Sequence, residues 1–354
     1  MSRAIQFAIF FTIFILIYAS LNSYLVIRLG GLLGLHKNTI ISLIAVVTLA
    51  MPFTIILERF FQNIITRILY AIASLWMGIG LFLLCTLLVY EIIRPFYQIP
   101  YAGIIILSIV GLLSVFSIIN AMFLHVEEVE VPIQGLKKEM KVVQLSDIHV
   151  GTIRNSAFLQ KIAEKTNELE PDIVMITGDL VDGTAALHES MFSGFDKCKA
   201  PVFFVSGNHE TYEGLGKVYK LLNETKIRPL KNEVVVFDGI QVVGIEFSED
   251  RANTQKQLSR LKINKSKPAV LMFHGPWGME DAKNHGIDLQ LSGHTHNGQI
   301  YPFHFFVWLV LKHLRGLYDY DGMYLHVSPG TGTWGPYMRL GSMNEITVLN
   351  LVPG

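Results

Sequence analysis

The fold is decided by one stretch of this chain, Lys141-Val142-Val143-Gln144-Leu145-Ser146-Asp147-Ile148-His149-Val150-Gly151. A run rich in β-branched and other apolar residues, which is typical of a buried strand, leads directly into Asp147 and His149. If the backbone stays extended there, both side chains point to the same side and could bind one cation. A single Asp-x-His pair is only a weak indication of a metal site.

The same arrangement recurs along the second half of the sequence. Residues of metal-ligand type follow apolar, strand-like runs at four further places: Gly178-Asp179, Gly207-Asn208-His209-Glu210, His274 and Gly293-His294-Thr295-His296. The predicted strands are residues 141–146, 172–177, 201–206, 241–245, 269–273 and 289–292. The five clusters together favour a metal centre far more strongly than any one of them alone.

A helix is predicted between the first two strands. Asn155 or Ser156 can cap its start, apolar residues then repeat at helical spacing, and Pro171 ends it. Strands that alternate with helices indicate an α/β sheet with crossover connections. Such sheets bind ligands at the carboxyl ends of their strands, which is where the polar clusters stand.

The residue types in these clusters suit a pair of cations. The carboxylate of Asp179 can bridge two metals, Asn208 offers an amide oxygen, and the histidines offer ring nitrogens. Such a donor set without thiolate favours Mn²⁺, Fe or Zn²⁺ over a cysteine-rich structural zinc site. His209 would point away from Asn208 in extended backbone, which leaves it available as an acid.

Residues 1–125 have a different character. They contain six basic and two acidic residues, separated by four apolar stretches of about 20 residues or more. Helices of that length cross a bilayer core of ~30 Å, and they are predicted near residues 5–27, 39–57, 68–90 and 101–124. The alternative is cleavage of the first stretch as a signal peptide, but it is long for that purpose and lacks a clear small-x-small site.

Four spans place both ends of this region on one side of the membrane. Basic residues flank the spans unequally: Arg3, Arg59, Arg67, Lys137, Lys138 and Lys141 on that side, against Arg28, Lys37 and Arg94. Because basic loops prefer the cytoplasm, the predicted location is the cell membrane with the following domain in the cytoplasm. The predicted spans contain no Asp, Glu, Lys, Arg or His, which favours an anchor over a channel or transporter.

The composition changes after residue 125. Acidic residues followed by Pro132 and Gly135 predict a linker over residues 126–139. The part beyond residue 125 has 23 basic and 27 acidic residues, a formal charge of −4, so no basic excess for nucleic-acid binding is present. Cys85 and Cys198 cannot form a disulfide framework. The oligomeric state stays open.

At residues 140–350 the sequence resembles the calcineurin-like metallophosphoesterase superfamily. The matching blocks keep that family's order: SDIHVG, TGDLVDG, SGNHE, FHGP and SGHTHNGQ. With its membrane spans and the segments GHTHNGQIYP and GTGTWGPYMRLG, the chain looks like the transmembrane branch of the family. The resemblance implies four transmembrane helices in residues 1–125 and an α/β domain at 140–354, built as a four-layer α/β/β/α sandwich.

The resemblance also implies the roles of the site residues. One metal would be bound by Asp147, His149, Asp179 and His296, and the other by Asp179, Asn208, His274 and His294. Two such cations would activate a water molecule for in-line attack on phosphorus, and His209 would be the catalytic acid for the leaving oxygen.

The substrate class is less constrained. An apolar run of about a dozen residues within 301–315 is too short to cross a bilayer. It could lie in the membrane surface, shape a groove for an acyl chain, or form a buried core helix. Arg339 could clamp a phosphate, and Asp182 could orient a metal ligand from behind, although a structural role is an equal alternative for both.

Three functional hypotheses follow from these features. The first is a membrane-anchored phosphoesterase with two divalent metals that hydrolyses a phosphodiester or pyrophosphate bond of a lipid-linked substrate. The second keeps the chemistry but assumes a soluble nucleotide or phosphoprotein, with the anchor serving only location. The third is a metal-loaded binding module without catalysis, which would be expected to lack His209 or Asp179; both are present.

Overall fold

The computed structural model describes residues 3–354, with side chains at residue 5 and from residue 12 onward. The side chain of Arg3, counted above for membrane orientation, therefore lies outside the described residues. The chain divides into two compact units. The first reaches to Ile119 and includes Gly335–Met338, whereas the second comprises Asn120–Trp334 and Arg339–Gly354.

Four long helices make up the first unit. Their bounds are α1 Arg3–Leu32, α2 Lys37–Phe61, α3 Ile64–Ile93 and α4 Ala102–Met122. Each predicted span coincides with one of these helices, and each helix contains a segment long and apolar enough to cross a membrane. Apolar side chains such as Ile17, Val46 and Ile72 are more than 60% exposed, as expected for a surface that faces lipid.

The second unit is built on two six-stranded sheets. Its strands are β1 Leu124–Ile133, β2 Met140–Leu145, β3 Ile173–Thr177, β4 Val202–Val205, β5 Ile227–Pro229, β6 Glu233–Phe237, β7 Ile240–Gly244, β8 Ala269–Met272, β9 Leu289–Ser292, β10 Gly316–Tyr320, β11 Met323–Val327 and β12 Asn344–Pro353. The first sheet has the order β1-β12-β2-β3-β4-β5, and the second has the order β10-β11-β9-β8-β7-β6. Strands β2, β3 and β4 are mutually parallel, and so are β7, β8 and β9.

Helices cover the outer faces of both sheets. The helices of this unit are α5 Ser156–Glu168, α6 Asn208–Glu213, α7 Leu215–Leu222, α8 Asn253–Leu258, α9 Met279–Asn284 and α10 Phe303–Leu311. Leu159 on α5 and Leu222 on α7 are fully buried against the first sheet, and Leu258 on α8 and Ala282 on α9 against the second. Aliphatic, methionine and phenylalanine side chains from both sheets fill the space between them. The four-layer α/β/β/α sandwich is therefore confirmed.

The predicted elements around the first crossover agree with the structure. All five residues of β3 are buried, because both faces of the sheet are covered at its parallel strands and a continuous apolar run is needed there. Asn155 caps α5, where its Oδ1 accepts from the backbone nitrogens of Ala157 at 3.1 Å and Phe158 at 3.4 Å. A fully buried leucine such as Leu159 stabilises the fold by about 1.5–3 kcal/mol.

Residues 126–139 differ from the linker that the sequence predicts. Strand β1 pairs in parallel with β12 along its whole length, from Leu124 opposite Asn344 to Ile133 opposite Pro353. Its glutamates point to solvent while Val131 and Ile133 are buried. Charged residues and a proline are typical of an edge strand, since its outer groups need no partner strand. The acidic composition therefore marks an exposed sheet edge.

The apolar run at residues 301–315 contains the exposed helix α10. None of the nine residues Phe303–Leu311 is buried. Of the three alternatives for this run, the buried core helix is therefore wrong. A short apolar run looks the same in sequence whether it is buried or exposed, because periodicity cannot separate the two cases.

Candidate metal centre

Loops at the carboxyl ends of five strands carry the polar clusters. Asp147 and His149 follow β2, Asp179 follows β3, and Asn208 and His209 begin α6 directly after β4. The second sheet contributes His274 after β8, and His294 and His296 after β9. The structure thus brings together all eight residues that the sequence placed at the centre, and it draws them from both sheets.

One group of side chains lies on the β2 side of the centre. Nε2 of His149 is 3.0 Å from Nε2 of His296, and the latter is 3.4 Å from Oδ1 of Asp147. All three residues are buried. Their ligand atoms lie within 4.8 Å of one another, close enough to hold one metal ion.

A second group lies on the β8 side. Oδ1 of Asn208 is 3.2 Å from Nε2 of His274 and 2.9 Å from Nδ1 of His294. Nδ1 of His274 donates to the carbonyl oxygen of Thr177 at 2.8 Å, which leaves Nε2 as its ligand atom. Asp179, His274 and His294 again place one ligand atom each within 4.8 Å of the others.

The carboxylate of Asp179 lies between these two groups. Its Oδ2 is 3.2 Å from Nε2 of His274 and 3.9 Å from Nε2 of His149. A carboxylate in this position can bridge two cations. The two groups are therefore halves of one cluster.

The donor set fits a pair of metal ions. Ring nitrogens of His149 and His296 face each other at 3.0 Å, an unfavourable contact unless a proton or cation lies between their lone pairs. Nδ1 of each ring is buried and has no hydrogen-bond partner among the described residues. The Nε2 atoms, and not these Nδ1 atoms, face the other side chains of the cluster, so a cation between the two Nε2 atoms would relieve their contact. The set of imidazole, carboxylate and amide donors contains no thiolate, as expected for Mn²⁺, Fe or Zn²⁺.

Burial and opposite charges shift the titration of the cluster. Burial raises the pKa of Asp147 to about 6, partly offset by His274 and the hydroxyl of Ser146. Burial acts to lower the pKa of His274, but the carboxylates of Asp179 and Asp147 raise it to about 9. Burial and the neighbouring His274 lower the pKa of His294 to about 3. In the absence of a cation, a proton on His274 balances the charge of Asp179.

The backbone of the centre is left-handed where the sequence suggested an extended pair. The φ angles are 51° at Asp147, 54° at His149, 50° at Asp179, 73° at His294 and 48° at His296. Non-glycine residues rarely adopt this conformation, which costs on the order of 1–2 kcal/mol each and clusters at functional sites. Asp147 and His149 therefore converge because the chain coils at the strand end, and not through the alternation of a strand.

Two glycines permit this close packing. Gly178 has φ +94°, a left-handed conformation that favours glycine, and the chain turns sharply there before Asp179. A Cβ on Gly207 would lie 2.1 Å from Oδ1 of Asp179. Any side chain at Gly207 would thus displace the bridging carboxylate.

His209 stands at the partly exposed side of the cluster. Its Nδ1 is 2.7 Å from the carbonyl oxygen of Asp182, and its ring packs edge-on against His149 at 4.6 Å between centroids. The rings of Tyr212 and Trp334 lie 5.7 and 6.3 Å from it, and both side chains are exposed. His209 is therefore the candidate residue open to a substrate.

Glu210 and Asp182 position the loops of the centre. Glu210 is fully buried, and its carboxylate accepts from the backbone nitrogens of Asp179 at 3.0 Å, Val181 at 3.0 Å and Gly207 at 2.6 Å. Burial and the charge of Asp179 raise its pKa to about 7. An acid in the first turn of a helix is common, so the sequence alone does not indicate this role of Glu210. Oδ1 of Asp182 lies 3.7 Å from Nδ1 of the His149 ring.

Arg339 is not available to clamp a phosphate. It is fully buried, and its guanidinium donates to the carbonyl oxygens of His296 at 3.0 Å and Pro329 at 2.9 Å, among others. Its Nε donates to Oδ1 of Asn344 at 3.0 Å. All three nitrogens are thus bound to the protein, and the side chain supports the loop that carries His296.

Comparison with known proteins identifies the same region. The family model for calcineurin-like phosphoesterases matches residues 140–298. An uncharacterized metallophosphoesterase of Aquifex aeolicus is 30% identical over 252 residues, covering 68% of this chain and 96% of that protein. A transmembrane protein with metallophosphoesterase domain of Bos taurus is 33% identical over 273 residues, covering 70% of this chain and 60% of that protein.

A relative from a second bacterium matches at higher identity than these two proteins, but over a smaller share of its length than the Aquifex aeolicus protein. An uncharacterized metallophosphoesterase of Helicobacter pylori is 36% identical over 236 residues, which covers 64% of this chain and 64% of that protein. The chain thus spans less than two thirds of the length of this relative. The polar clusters, from Asp147 to His296, lie inside the region matched by the family model.

Proposed function

The chain belongs to the calcineurin-like metallophosphoesterase family, and we propose that it is a membrane-anchored phosphoester hydrolase with two divalent metals. The position of Asp179 between two groups of imidazoles carries this proposal. A structural metal site needs one closed set of ligands. This cluster instead offers three overlapping sets, two of which share the carboxylate of Asp179, and one of these two includes the partly exposed His209.

Eight side chains share the chemistry in this proposal. One metal is assigned to Asp147, His149, Asp179 and His296, and the other to Asp179, Asn208, His274 and His294. When bound, the cations supply the positive charge that activates water and neutralises the phosphate oxygens. The protein's own part is to hold the ligands rigidly and to keep the site open on the side of His209.

His209 is assigned the role of general acid. Its Nδ1 donates to the carbonyl oxygen of Asp182, which fixes the orientation of the ring. Nε2 is then the nitrogen that donates a proton to the leaving oxygen. Tyr212 and Trp334 flank this ring and can pack against the part of the substrate that leaves.

The proposed substrate is a lipid-linked phosphodiester or pyrophosphate. Four candidate spans keep the metal centre within reach of a bilayer, which favours a substrate that resides there. The excess of basic residues on one side of the spans supports a cytoplasmic catalytic domain. A soluble nucleotide or phosphoprotein is the alternative outcome of the tests below.

Hydrolysis by purified full-length protein tests the chemistry. We expect Mn²⁺-loaded protein to cleave bis-p-nitrophenyl phosphate faster than p-nitrophenyl phosphate. His209→Ala is expected to lower kcat by about 10²- to 10⁴-fold without loss of metal, as for removal of a general acid. His125→Ala, at an exposed position on β1, is the matched control. Absence of hydrolysis in protein that contains two metals would contradict the function.

A lipid extract tests the substrate class. Incubation of the extract with wild type, and separately with His209→Ala, should remove a phosphorylated lipid only in the wild-type sample. Removal of soluble nucleotides alone would instead favour the alternative substrate. Equal consumption by both proteins would contradict the role of His209.

A further inference from the structure

Apart from His304, helix α10 is apolar around its whole circumference, and it is exposed. Its sequence is FHFFVWLVL, and none of its residues is buried. Phe306, Trp308 and Val310 are 56%, 45% and 64% exposed. A helix on the surface of a water-soluble domain normally turns one polar face to solvent. Helix α10 has no such face, so water is a poor solvent for it.

The segment that contains α10 carries no acidic residue. No Asp or Glu occurs between Asp288 and Asp319, and Lys312 follows the helix directly, whereas the more distant Arg315 is paired with Glu345 at 2.9 Å and with Glu127 at 3.5 Å. Nζ of Lys312 lies 4.9 Å from the ring centroid of Trp308. An apolar helix with an aromatic and a basic residue at its end complements the acyl chains and anionic headgroups of a bilayer.

We propose that α10 lies in the surface of the lipid bilayer, with its apolar side chains at the boundary of headgroups and acyl chains. A helix of nine residues is too short to cross a bilayer, but it can lie in the plane of the interface. The proposal rests on the membrane spans of the proposed function and does not require hydrolysis. It assigns the second unit a membrane contact of its own.

Short-range contacts hold α10 in a fixed position next to the metal centre. The side-chain amide of Gln299 pairs with the backbone of Trp334 through two hydrogen bonds of 2.9 Å. The hydroxyl of Thr295, beside His296, donates to the carbonyl oxygen of Leu314 at 2.6 Å, just beyond the helix. Because both ends are tied, contact of α10 with lipid sets the height of the centre above the bilayer surface.

Close backbone packing at Gly298 also fixes the start of helix α10. A Cβ at Gly298 would lie 2.1 Å from Cα of His304, so backbone packs directly on backbone there. His296 and α10 are therefore parts of one rigid segment. A phosphate at the headgroup level would be presented to the metal centre without extraction of the lipid.

Spin labels on the full chain test the proposal. Phe306→Cys and Val310→Cys carry labels on α10, and Val236→Cys, 64% exposed on β6, carries the control label. The background has Cys85→Ala and Cys198→Ala. The protein is reconstituted in vesicles of phosphatidylcholine and phosphatidylglycerol. We expect both α10 labels to collide several times more often with oxygen than with a water-soluble nickel chelate, and the control label to show the reverse.

Two results would overturn the proposal. Labels on α10 that match the water-like accessibility of Val236→Cys would place the helix in solvent. Labels shielded from both reagents would indicate protein packing, such as a second copy of the chain.

If the cysteine-free background fails to fold, brominated lipids give a label-free measurement. Quenching of tryptophan fluorescence must then be weaker in Trp308→Phe than in wild type, and equal quenching would contradict the proposal. None of these measurements depends on hydrolysis.

Discussion

Oδ2 of Asp179 lies 3.2 Å from Nε2 of His274, and the same oxygen faces the opposite group of ligands at 3.9 Å from Nε2 of His149. A single carboxylate oxygen thus holds the two halves of the cluster together. Loss of its negative charge should affect both halves, whereas loss of any one histidine should affect mainly its own.

Asp179→Asn is expected to reduce the metal content from two ions per chain to one or none. An amide oxygen can bind a single cation but is a poor bridge, because it lacks the carboxylate charge. Elemental analysis of the purified protein measures this. Asp321→Asn, whose side chain is 95% exposed in the parent, is the control. Two fully occupied sites in Asp179→Asn would contradict the bridging role.

Gly207→Ala is expected to lower metal binding while the fold is kept. The added methyl would lie 2.1 Å from Oδ1 of Asp179, so the carboxylate or its loop must move. Gly216→Ala is the matched control, because a Cβ there has nothing within 4 Å. Since alanine favours helices over glycine, the control should be neutral or more stable by up to about 1 kcal/mol. Titration with Mn²⁺ by calorimetry compares the two variants.

Glu210→Gln is expected to destabilise the protein by about 1–3 kcal/mol, because an amide group replaces an oxygen that accepts from backbone nitrogens. In the wild-type protein, the carboxylate of Glu210 accepts hydrogen bonds from the backbone nitrogens of Asp179, Val181 and Gly207. The melting temperature in detergent should fall by several degrees. Glu168→Gln, with an exposed side chain, should melt like wild type. If the melting temperature and the metal content of Glu210→Gln are unchanged, the hydrogen bonds of the Glu210 carboxylate are not needed for stability or metal binding.

Arg339→Lys is expected to lower stability and to leave substrate affinity unchanged. Lysine has a single nitrogen, so it cannot replace the contacts to His296, Pro329 and Asn344. Truncation of a buried, fully bonded cation costs about 3–5 kcal/mol. Thermal melting and the KM for bis-p-nitrophenyl phosphate separate the two effects. A raised KM together with normal stability would instead support the hypothesis that Arg339 binds a phosphate of the substrate.

Acid is expected to destabilise the protein through His326. This residue is buried on β11, and burial with the nearby Arg315 lowers its pKa to about 3. In the unfolded chain a histidine has a pKa of about 6.5. As the pH falls below this value, the unfolded chain binds a proton at His326 that the folded chain does not bind. The free energy of unfolding therefore falls as the pH falls. Between pH 7 and 5 the loss is about 2 kcal/mol.

His326→Gln removes this titration and leaves the other acid-sensitive groups in place. Denaturant unfolding of both proteins in detergent, at pH 7 and at pH 5, isolates the contribution of His326. Wild type should lose about 2 kcal/mol more than the variant. Equal losses in the two proteins would mean that His326 is not buried in its neutral form.

The residues of the candidate metal centre could be predicted from the sequence because residue type and position agree. Histidines and carboxylates directly after apolar strands lie at the carboxyl ends of those strands, where α/β sheets bind ligands, and the two sheets bring these ends together. The conformation at Asp147 and His149 could not be predicted in this way. Left-handed backbone is usually signalled by glycine, and here it is imposed on other residues by the surrounding contacts.

Buried charges were harder to predict than metal ligands. Arg339 and Glu210 are hydrophilic in sequence, yet both are fully buried and bond mainly to backbone atoms. Their partners are brought together by the tertiary fold and have no local pattern. The glutamates of β1 gave the opposite error, since their charge concealed a strand whose other face is buried.

Strands β1 and β12 pair with each other although they are synthesised at very different times. Leu124 emerges from the ribosome 220 residues before its partner Asn344. At about 5–20 residues per second, the first strand waits on the order of 10–40 s for β12 to be made. By then the four apolar helices have long been available for insertion. The edge of β2 that β12 will occupy stays unpaired meanwhile, so its backbone groups are exposed during that interval.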